Sequence, residues 1–416
     1  MMRIDEQIGA IRGQFPALTR TVAGQPAIFF DGPAGSQVPQ RVADAVSRAM
    51  LQTNANEGGH FATSVENDAL FADAADTLAA FFGAKFSEEI VFGPNMTSLT
   101  FRISQALGET WTAGDEIVVS GLEHDANYSP WVQAAERAGV TVRRIPVRAD
   151  DCTLDLEVYA RLLSKRTRLV AVGMASNATG TINPVAKMAA MAHEVGALVY
   201  VDAVHYGPHG PFDVEAWGAD FVVASAYKFF GPHVGVLWGR KDLLESLPAR
   251  KVRPAYDRSP DRWMTGTPNF EGIVGAAEGV RYLADLSPPE TGDLRTRILA
   301  SYAEIQRYER SLTEYFLGHL AARGSLRLWG ISAPEALEHR VPTFSLTHPR
   351  ISPKTLAKGL AAAGVFAWSG NHYAVPFTES LGLEAHGTLR IGLLHYNTRA
   401  EIDRCFAVLD TLCEAH

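Results

Sequence analysis

The sequence predicts an α/β protein built on a mostly parallel sheet, because short apolar runs alternate with helical segments over residues 89–240. Seven runs have strand character: EIVF (89–92), EIVVSG (116–121), VTVRRIPV (140–147), RLVAVGMAS (168–176), LVYVDAVH (198–205), FVVASAYK (221–228) and VGVLWGR (234–240). Several are continuously apolar, as expected for strands that helices cover on both faces. The segment VAKMAAMAHEVGA (185–197) between two of them has the apolar spacing of an amphipathic helix.

The alternation ends in a Pro- and Arg-rich stretch at 245–270, which is followed by long helical segments up to about residue 323. The remaining pattern predicts strands and helices in this order: a strand at 341–348, a helix at 353–363, strands at 365–370 and 387–396, and a last helix from 399. We therefore predict a large domain over residues 31–285 and a smaller α+β domain over 286–416. Residues 1–30 are expected to form an N-terminal segment that packs with the small domain.

Composition excludes several classes of protein. The 416 residues include 38 Lys and Arg against 46 Asp and Glu, a formal net charge of −8, and no basic stripe that would neutralise a nucleic acid. The longest apolar runs are too short to cross a membrane, and the charged start does not resemble a signal peptide, so we expect a cytoplasmic protein. Cys152, Cys405 and Cys413 form no ligand or disulfide pattern, and Cys405 lies on the apolar face of a predicted helix. No metal site is expected.

Polar residues follow the predicted strands, at the edge where open parallel sheets bind their ligands. His124, Asn177, Asp202, Ser225 and Lys228 all occur at such strand ends. Each of them alone has an ordinary structural explanation, such as a solvated charge or a helix cap. Together they predict a site at the carboxyl edge of the sheet.

Lys228 and Asp202 suggest the chemistry of this site. Lys228 lies in ASAYKFFGPHVG, and a lysine desolvated by neighbouring aromatic residues has a lowered pKa, which makes it a nucleophilic amine able to form a Schiff base. Asp202 ends a neighbouring strand, and a carboxylate beside a pyridine nitrogen keeps that nitrogen protonated. This pair suits pyridoxal 5′-phosphate.

The sequence resembles a known family over nearly its whole length. The ordered motifs are FFDGPAGSQVP (29–39), EEIVFGPNMT (88–97), EHDAN (123–127), SNATGT (176–181), VDAVH (201–205), SAYKFFGP (225–232), TGTPN (265–269) and GTLRIGLLHYNT (387–398). They are similar to those of the class V aminotransferases, fold-type I pyridoxal phosphate enzymes, and specifically to the cysteine desulfurase and selenocysteine lyase group. The resemblance implies that residues 31–285 bind the cofactor.

The resemblance assigns roles around the cofactor ring. Lys228 would hold the cofactor covalently, Asp202 would pair with its ring nitrogen, and His124 would stack on its ring face. His205 stands where desulfurases usually carry a glutamine that hydrogen-bonds the ring hydroxyl, a role that an imidazole can fill. Asn177 would lie near this hydroxyl and the substrate carboxylate.

The resemblance also implies a phosphate site at a helix N-terminus, where backbone N–H groups and the helix dipole favour anions. Asn95, Met96 and Thr97 would supply the backbone groups, and Ser225 and Tyr227 would add side-chain donors. Desulfurases carry Gly-Thr-Thr at the first three positions, so Met96 removes one hydroxyl.

The remaining assignments concern a second subunit and the substrate, a small amino acid. Thr267 would reach the phosphate from a partner subunit, which implies a homodimer with shared active sites. Arg390 resembles the arginine that binds the substrate α-carboxylate through two hydrogen bonds. His60 and Tyr373 are further candidates for the substrate pocket, and a loop tyrosine that simply packs over the cleft is an equal alternative for Tyr373.

The chain departs from the desulfurases in one loop. A desulfurase needs a mobile loop cysteine to carry the persulfide, but the loop here reads SGNHYAVPF (369–377), with Tyr373 at that position. Cys152 and Cys405 do not replace it by sequence position. We therefore expect no persulfide relay and favour β-elimination or C–S lyase chemistry over transamination or epimerisation. A non-catalytic, regulatory cofactor-binding protein is the alternative from another class, and the first strand has no G-x-G-x-x-G for a nicotinamide enzyme.

Overall fold

The computed structural model describes residues 3–289 and 291–414. Within this part of the chain the strands are β1 (Thr21–Val22), β2 (Gln25–Pro26), β3 (Ile28–Phe29), β4 (Ile90–Gly93), β5 (Glu116–Ser120), β6 (Thr141–Ile145), β7 (Thr167–Gly173), β8 (Leu198–Asp202), β9 (Phe221–Ser225), β10 (Gly235–Gly239), β11 (Arg327–Trp329), β12 (Thr343–Thr347), β13 (Val365–Phe366), β14 (Trp368–Gly370) and β15 (Thr388–Gly392). The α-helices are α1 (Ile4–Gly13), α2 (Gln40–Gln52), α3 (Ala62–Phe82), α4 (Met96–Gly108), α5 (Ser129–Ala138), α6 (Leu156–Leu162), α7 (Val185–Glu194), α8 (Lys241–Ser246), α9 (Phe270–Ala284), α10 (Leu294–Ala321), α11 (Pro353–Ala362), α12 (Val375–Ser380) and α13 (Arg399–Glu414). None of these described helices is long and apolar enough to cross a membrane.

The seven predicted strands form one sheet, in the order β4-β10-β9-β8-β7-β5-β6. The pairs among β9, β8, β7, β5 and β6 are parallel, whereas β10 is antiparallel to both of its neighbours. This arrangement confirms the predicted α/β fold with a mostly parallel sheet. The edge strand β6 is largely exposed except at its last residue, Ile145, and this explains the two arginines in its sequence.

Both faces of the sheet are buried, which explains the continuous apolar runs. In β7, Leu169 and Ala171 join one hydrophobic cluster, whereas Val170 and Val172 join another on the opposite face. The first cluster contains apolar residues of α4 and α5, and the second contains residues of α3, α7, α9 and α10. The sheet is therefore the middle layer between two sets of helices.

A second, antiparallel sheet in the order β11-β12-β15-β14 lies in the C-terminal part of the chain. The run 365–370, predicted as one strand, is divided between two sheets, because β13 pairs in parallel with β3 whereas β14 pairs with β15. The N-terminal segment also contacts this part of the chain through Arg12, whose guanidinium lies 2.9 Å from the Glu401 carboxylate. We retain 1–30, 31–285 and 286–416 as the proposed divisions.

The turns after β5, β7, β8 and β9 lie at one edge of the large sheet, since these strands are parallel. The start of α4 reaches the same edge, where the backbone N–H of Met96 donates to Ser225 Oγ at 2.9 Å. Gly235 at the start of β10 permits this approach, because a Cβ there would lie only 2.4 Å from the Asn95 carbonyl carbon. The close packing of β10 on α4 thus places a helix N-terminus at the sheet edge.

Substitution of Gly235 tests this packing. We expect Gly235→Ala to destabilise the protein by about 1–3 kcal/mol, because the rigid backbone of Asn95 must move. The measurement is the midpoint of urea unfolding. Gly318→Ala is the matched control, since Gly318 lies in α10 with no atom within 4 Å of the added Cβ and should raise stability slightly. Equal midpoints for the two variants would contradict this account.

Candidate active site

One cavity at the carboxyl edge of the large sheet contains most of the predicted site residues. Its lining comes from the start of α4 and from the turns after β5, β7, β8 and β9. The lining residues are Asn95, Met96, Thr97, Leu122, Glu123, His124, Gly173, Ala175, Asn177, Asp202, Val204, His205, Ser225, Tyr227 and Lys228. The fold therefore brings together residues that are spread over more than a hundred positions of the sequence.

Lys228 ends a short 3-10 turn directly after β9, and its side chain is buried, with 8% of the residue exposed. Its Nζ donates a hydrogen bond to the Pro33 carbonyl and lies 5.1 Å from the centre of the Tyr227 ring. Burial, assisted by the positive charge of Arg390, lowers the pKa of Lys228 to about 7 against the opposing effect of nearby carboxylates. A substantial fraction of this amine is therefore neutral and nucleophilic near pH 7.

Asp202 is the last residue of β8 and lies on the same cavity as Lys228. Burial raises the pKa of Asp202 to about 6, although the hydrogen bond from the Val204 N–H at 2.9 Å and the charge of Lys228 favour the ionised form. The carboxylate is thus mostly ionised at neutral pH. It can stabilise a cationic ring nitrogen, as the predicted cofactor requires.

His124 follows β5, and two contacts fix the orientation of its ring. Its Nδ1 accepts a hydrogen bond from the backbone N–H of Ala126 at 3.0 Å, and its ring stacks on that of Tyr373 with centroids 5.5 Å apart and planes at 15°. Burial lowers the pKa of His124 to about 3, so the ring is neutral. A neutral ring with a fixed plane suits stacking on an aromatic cofactor.

His205 lies on the cavity in the turn after β8 and contacts the C-terminal part of the chain. Its Nε2 lies 2.9 Å from Oγ1 of Thr343, on β12. Burial, together with the positive charges of neighbouring groups, holds the pKa of His205 well below its ordinary value. The imidazole is neutral and can act as both donor and acceptor.

The N-terminus of α4 also lines this cavity. Asn95 caps this helix, its Oδ1 accepting from the Ser98 N–H at 2.9 Å. Thr97, Ser225 and Tyr227 bring hydroxyl groups to the same cavity. Backbone N–H groups, hydroxyls and a helix dipole are the combination that binds phosphate.

Three buried polar atoms beside the cavity have no hydrogen-bond partner among the described residues: Arg390 Nε, Asn177 Oδ1 and Asp31 Oδ1. Arg390 comes from β15, and one of its terminal nitrogens donates to the Asn177 carbonyl at 3.0 Å. Burial lowers the pKa of Arg390 to about 10, so the guanidinium stays charged at neutral pH. Unpaired buried polar atoms are uncommon in proteins, and this donor and these two acceptors are available to a polar ligand.

The structure does not bring every predicted residue to the cavity of the same chain. Thr267 lines a second cavity together with Arg102 and His233, and His60 is exposed in the segment before α3. Tyr373 is 71% exposed and contacts the site through His124. The roles assigned to Thr267, His60 and Tyr373 therefore stay predictions.

Two acidic residues of the site were missed by the sequence interpretation. Glu123 lines the cavity and accepts hydrogen bonds from Asn127 Nδ2 at 2.6 Å and from the Gly173 N–H at 2.8 Å, and burial raises the pKa of its carboxyl to about 8. Asp31 precedes the loop that contains Pro33, and burial raises the pKa of Asp31 to about 6. Glu123 lies in the motif EHDAN and Asp31 in the motif FFDGPAG, both of which the resemblance identified. These motifs were the signal by which the two residues could have been found.

The three thiols do not contribute to this site. Cys152 and Cys405 are buried, Cys413 is half-buried, and none of them lines the cavity as the described residues define it. Burial raises the pKa of both Cys152 and Cys405 to about 12, so each stays a protonated thiol. A buried thiol of this kind is inert.

The cavity fits pyridoxal 5′-phosphate, the cofactor implied by the resemblance. An amine with a lowered pKa, an ionised carboxylate and a helix N-terminus line the same cavity, and they match the aldehyde, the ring nitrogen and the phosphate of that molecule. The roles of Arg390 and Asn177 at a substrate stay predictions.

Comparison with known proteins identifies the family. The family described as Aminotransferase class-V matches residues 28–405. A cysteine desulfurase of Pectobacterium atrosepticum is 33% identical over 421 residues, which cover 97% of this chain and 98% of the relative. A probable cysteine desulfurase of Mycolicibacterium paratuberculosis is 34% identical over 95% of this chain, but the match spans only 57% of that longer relative. A solved cysteine desulfurase from Thermococcus onnurineus NA1 matches with a TM-score of 0.88 and 28% identity, covering 100% of each chain.

The pKa of Lys228 sets the pH at which it can react. Below pH 7 the amine is protonated and unreactive, and above pH 7 it is neutral, so its reaction with added pyridoxal phosphate should quicken about tenfold between pH 6 and pH 8 and then level off. The measurement is the rate at which cofactor-depleted protein gains visible absorption, with Lys228→Ala as the unreactive control. A rate that continues to rise tenfold per pH unit above pH 8 would indicate an ordinary lysine.

Proposed function

Because the chain belongs to the class V aminotransferase family, whose members are pyridoxal 5′-phosphate-dependent enzymes, we propose that it removes a leaving group from the β-carbon of a small amino acid. The observation that carries this proposal is the buried, partly neutral amine of Lys228, which shares its surroundings with Asp202 and Arg390. Among the residues that the structure describes, no thiol lines the cavity that contains this amine.

The cavity residues would hold the cofactor by the roles predicted above. Lys228 would bind the aldehyde carbon, Asp202 the ring nitrogen and His205 the ring hydroxyl, while His124 covers the ring face. The phosphate would lie at the N-terminus of α4, near Ser225. When bound, pyridoxal phosphate supplies an electron-accepting ring that stabilises negative charge on the substrate Cα.

The chain's own contribution is to orient the substrate and to move one proton. Arg390 would bind the α-carboxylate through Nε, which is buried and unpaired, and Asn177 Oδ1 would accept a hydrogen bond from the ring hydroxyl. Lys228 would also be the base that takes the Cα proton, and its lowered pKa suits this role at neutral pH.

The loop between β14 and α12 supports elimination over persulfide transfer. Its Tyr373 carbonyl accepts from the Asp125 N–H at 2.6 Å, and its His372 carbonyl accepts from Asn177 Nδ2 at 2.8 Å, so the loop is tied to the large domain at two points. His372 and Tyr373 both adopt left-handed backbone conformations, with φ of 57° and 58°. A phenol on a tied loop cannot accept sulfur, so any β-sulfur leaves with its own substituent.

The proposed reaction is balanced without an oxidant or an amino acceptor. The Cα–H and Cβ–X bonds break, the proton moves to Lys228, and the electron pair of the Cβ–X bond leaves with X. Hydrolysis of the resulting unsaturated amine consumes one water and gives pyruvate and ammonia. One β-substituted alanine and one water therefore yield pyruvate, ammonia and HX.

The test is an assay of the cofactor-loaded protein on β-chloroalanine, cysteine, S-substituted cysteines and serine. We expect pyruvate and ammonia in equal amounts from at least one of them without any added 2-oxo acid, and none from Lys228→Ala. Product formation that requires a 2-oxo acid would identify an aminotransferase, and loss of optical activity without pyruvate would identify an epimerase. Absence of any turnover in a protein that binds cofactor would favour a regulatory role.

We further propose a cytoplasmic homodimer in which Thr267 of each subunit completes the phosphate site of the other. Thr267 lines a cavity that also includes Gly93 and Pro94, which directly precede the start of the phosphate site at Asn95. Large apolar side chains at the end of α2 and around the start of α3, such as Leu51 and Phe61, are exposed in the single chain. A partner subunit would cover them.

Mixing two variants with lowered activity tests the shared site. Lys228→Ala and Thr267→Ala should each lower activity, and the co-refolded or co-expressed mixture should regain it, because one site of the mixed dimer has both native residues. Light scattering should give about twice the 45.1 kDa of one chain. A monomer, or a mixture no more active than its parts, would rule out the shared site.

A further inference from the structure

Trp368 lies on the same face of the small sheet as Arg390. The two residues are directly opposite each other in the antiparallel pairing of β14 with β15. Directly opposed side chains project from the same face of a sheet and lie close enough to contact each other. On this face Arg390 donates to the Asn177 carbonyl at 3.0 Å, and Ser345 of β12 donates to the Ala178 carbonyl at 2.7 Å. The face that carries Trp368 is therefore turned towards the turn after β7, which borders the cofactor cavity.

Trp368 is a large apolar side chain that the single chain leaves in solvent. β14 is an edge strand of the small sheet, and 54% of Trp368 is exposed. Gly370 follows two positions later on this strand and hence on the same face, and a Cβ added to it would meet no atom within 4 Å. An open space thus lies beside the indole, on the side of the small sheet that bears Arg390.

Tyr373 brings a second exposed aromatic ring to the same region. It is 71% exposed, and its ring stacks on that of His124. The carbonyl of the preceding residue, His372, accepts from Asn177 Nδ2 at 2.8 Å. Asn177 therefore contacts Arg390 through its carbonyl and the loop that carries Tyr373 through its amide.

Trp368 and Tyr373, here called the aromatic rim, belong to a segment without charge. Residues 368–377 read WSGNHYAVPF and include no Asp, Glu, Lys or Arg. The histidine of this segment, His372, is neutral, because burial and the positive charge of Arg390 hold its pKa well below the ordinary value. An uncharged rim offers no partner to a charged group, whereas aromatic rings bind flat apolar groups by burial and stacking. The rim therefore favours an aromatic ligand.

The position of the aromatic rim connects it with the substrate. A substrate whose α-carboxylate is bound by Arg390 holds its β-carbon close to that carboxyl group. A substituent on the β-carbon is then within reach of the side chain directly opposite Arg390, which is Trp368. Exposed apolar surface beside a polar site is typical of ligand-binding grooves.

We propose that the aromatic rim binds an aromatic group carried on the β-carbon of the substrate, and that the chain acts on cysteine conjugates of this kind. The proposal rests on the function proposed above, because it takes Arg390 as the residue that binds the α-carboxylate. Trp368 and Tyr373 are the specificity-determining residues of this reaction.

S-benzylcysteine is a simple member of this substrate class. Its Cα–H and Cβ–S bonds break, and the electron pair of the Cβ–S bond leaves with sulfur. Hydrolysis of the unsaturated amine consumes one water. The products are pyruvate, ammonia and phenylmethanethiol, whose sulfur takes up the proton released from Cα.

The first test compares kcat/KM for S-benzylcysteine and S-methylcysteine, whose leaving groups are both alkyl thiolates. We expect the cofactor-loaded protein to form pyruvate at least about tenfold more efficiently from S-benzylcysteine, since apolar contacts with a substrate group give discrimination of this order. Trp368→Ala and Tyr373→Ala should each reduce this preference. Trp368→Phe retains an aromatic ring and should keep most of it.

A second readout does not depend on turnover. The acids 3-(benzylthio)propanoate and 3-(methylthio)propanoate lack the α-amine and cannot react with the cofactor, but they keep the carboxylate and the substituent. Calorimetry on the cofactor-loaded protein should give a Kd about tenfold lower for the benzyl compound. Trp368→Ala should bring the two Kd values together.

Phe86→Ala is the matched control, because Phe86 is 53% exposed but precedes the start of β4, whereas the end of that strand leads to the cavity-lining Asn95. It should leave both preferences unchanged. Equal Kd values for the two acids in the unmodified protein, or preferences that Trp368→Ala leaves intact, would overturn the proposal. Failure of the proposed function is recognised separately: a benzyl preference in binding without pyruvate from either cysteine derivative would support the rim and reject elimination.

Discussion

Burial of one amine is the constraint on which the site depends. Asp202 and Asp31 offset part of the charge of buried Lys228, whereas the loss of water and the charge of Arg390 lower its pKa. The parallel strands β8 and β9 bring Asp202 and Lys228 to the same edge of the sheet. The same burial makes the neighbouring imidazoles neutral, so the cavity contains few net charges besides those the chemistry uses.

The arginine predicted to bind the substrate lies on a different sheet from the residues predicted to bind the cofactor. Arg390 lies on β15 of the small sheet, yet it contacts Asn177 after β7 of the large one. Thr343 on β12 contacts His205 in the same way. The relative position of the two sheets is therefore part of the geometry of the site, and a shift between them would separate Arg390 from Lys228.

The large sheet and most of the cavity residues could be predicted from the sequence. The features that could not be predicted have a physical reason. Strands buried on both faces leave a clear apolar pattern, and residues at their carboxyl ends, such as Asp202 and Lys228, are recognisable from that pattern. Contacts between residues distant in sequence leave none, which is why the position of Asp31 near Lys228 was missed. The division of 365–370 between two sheets was missed because two short strands separated by one residue look like one.

The pairing of β3 with β13 affects the order in which the chain can fold during its synthesis. Ile28 is synthesised early, but its partner Val365 emerges from the ribosome only near the end of translation. Until then β3 has no strand to pair with, and the contact of Arg12 with Glu401 is also missing. The closing of this long chain loop should thus be a late event in biogenesis, and a nascent chain halted before residue 365 would leave β3 without its partner strand.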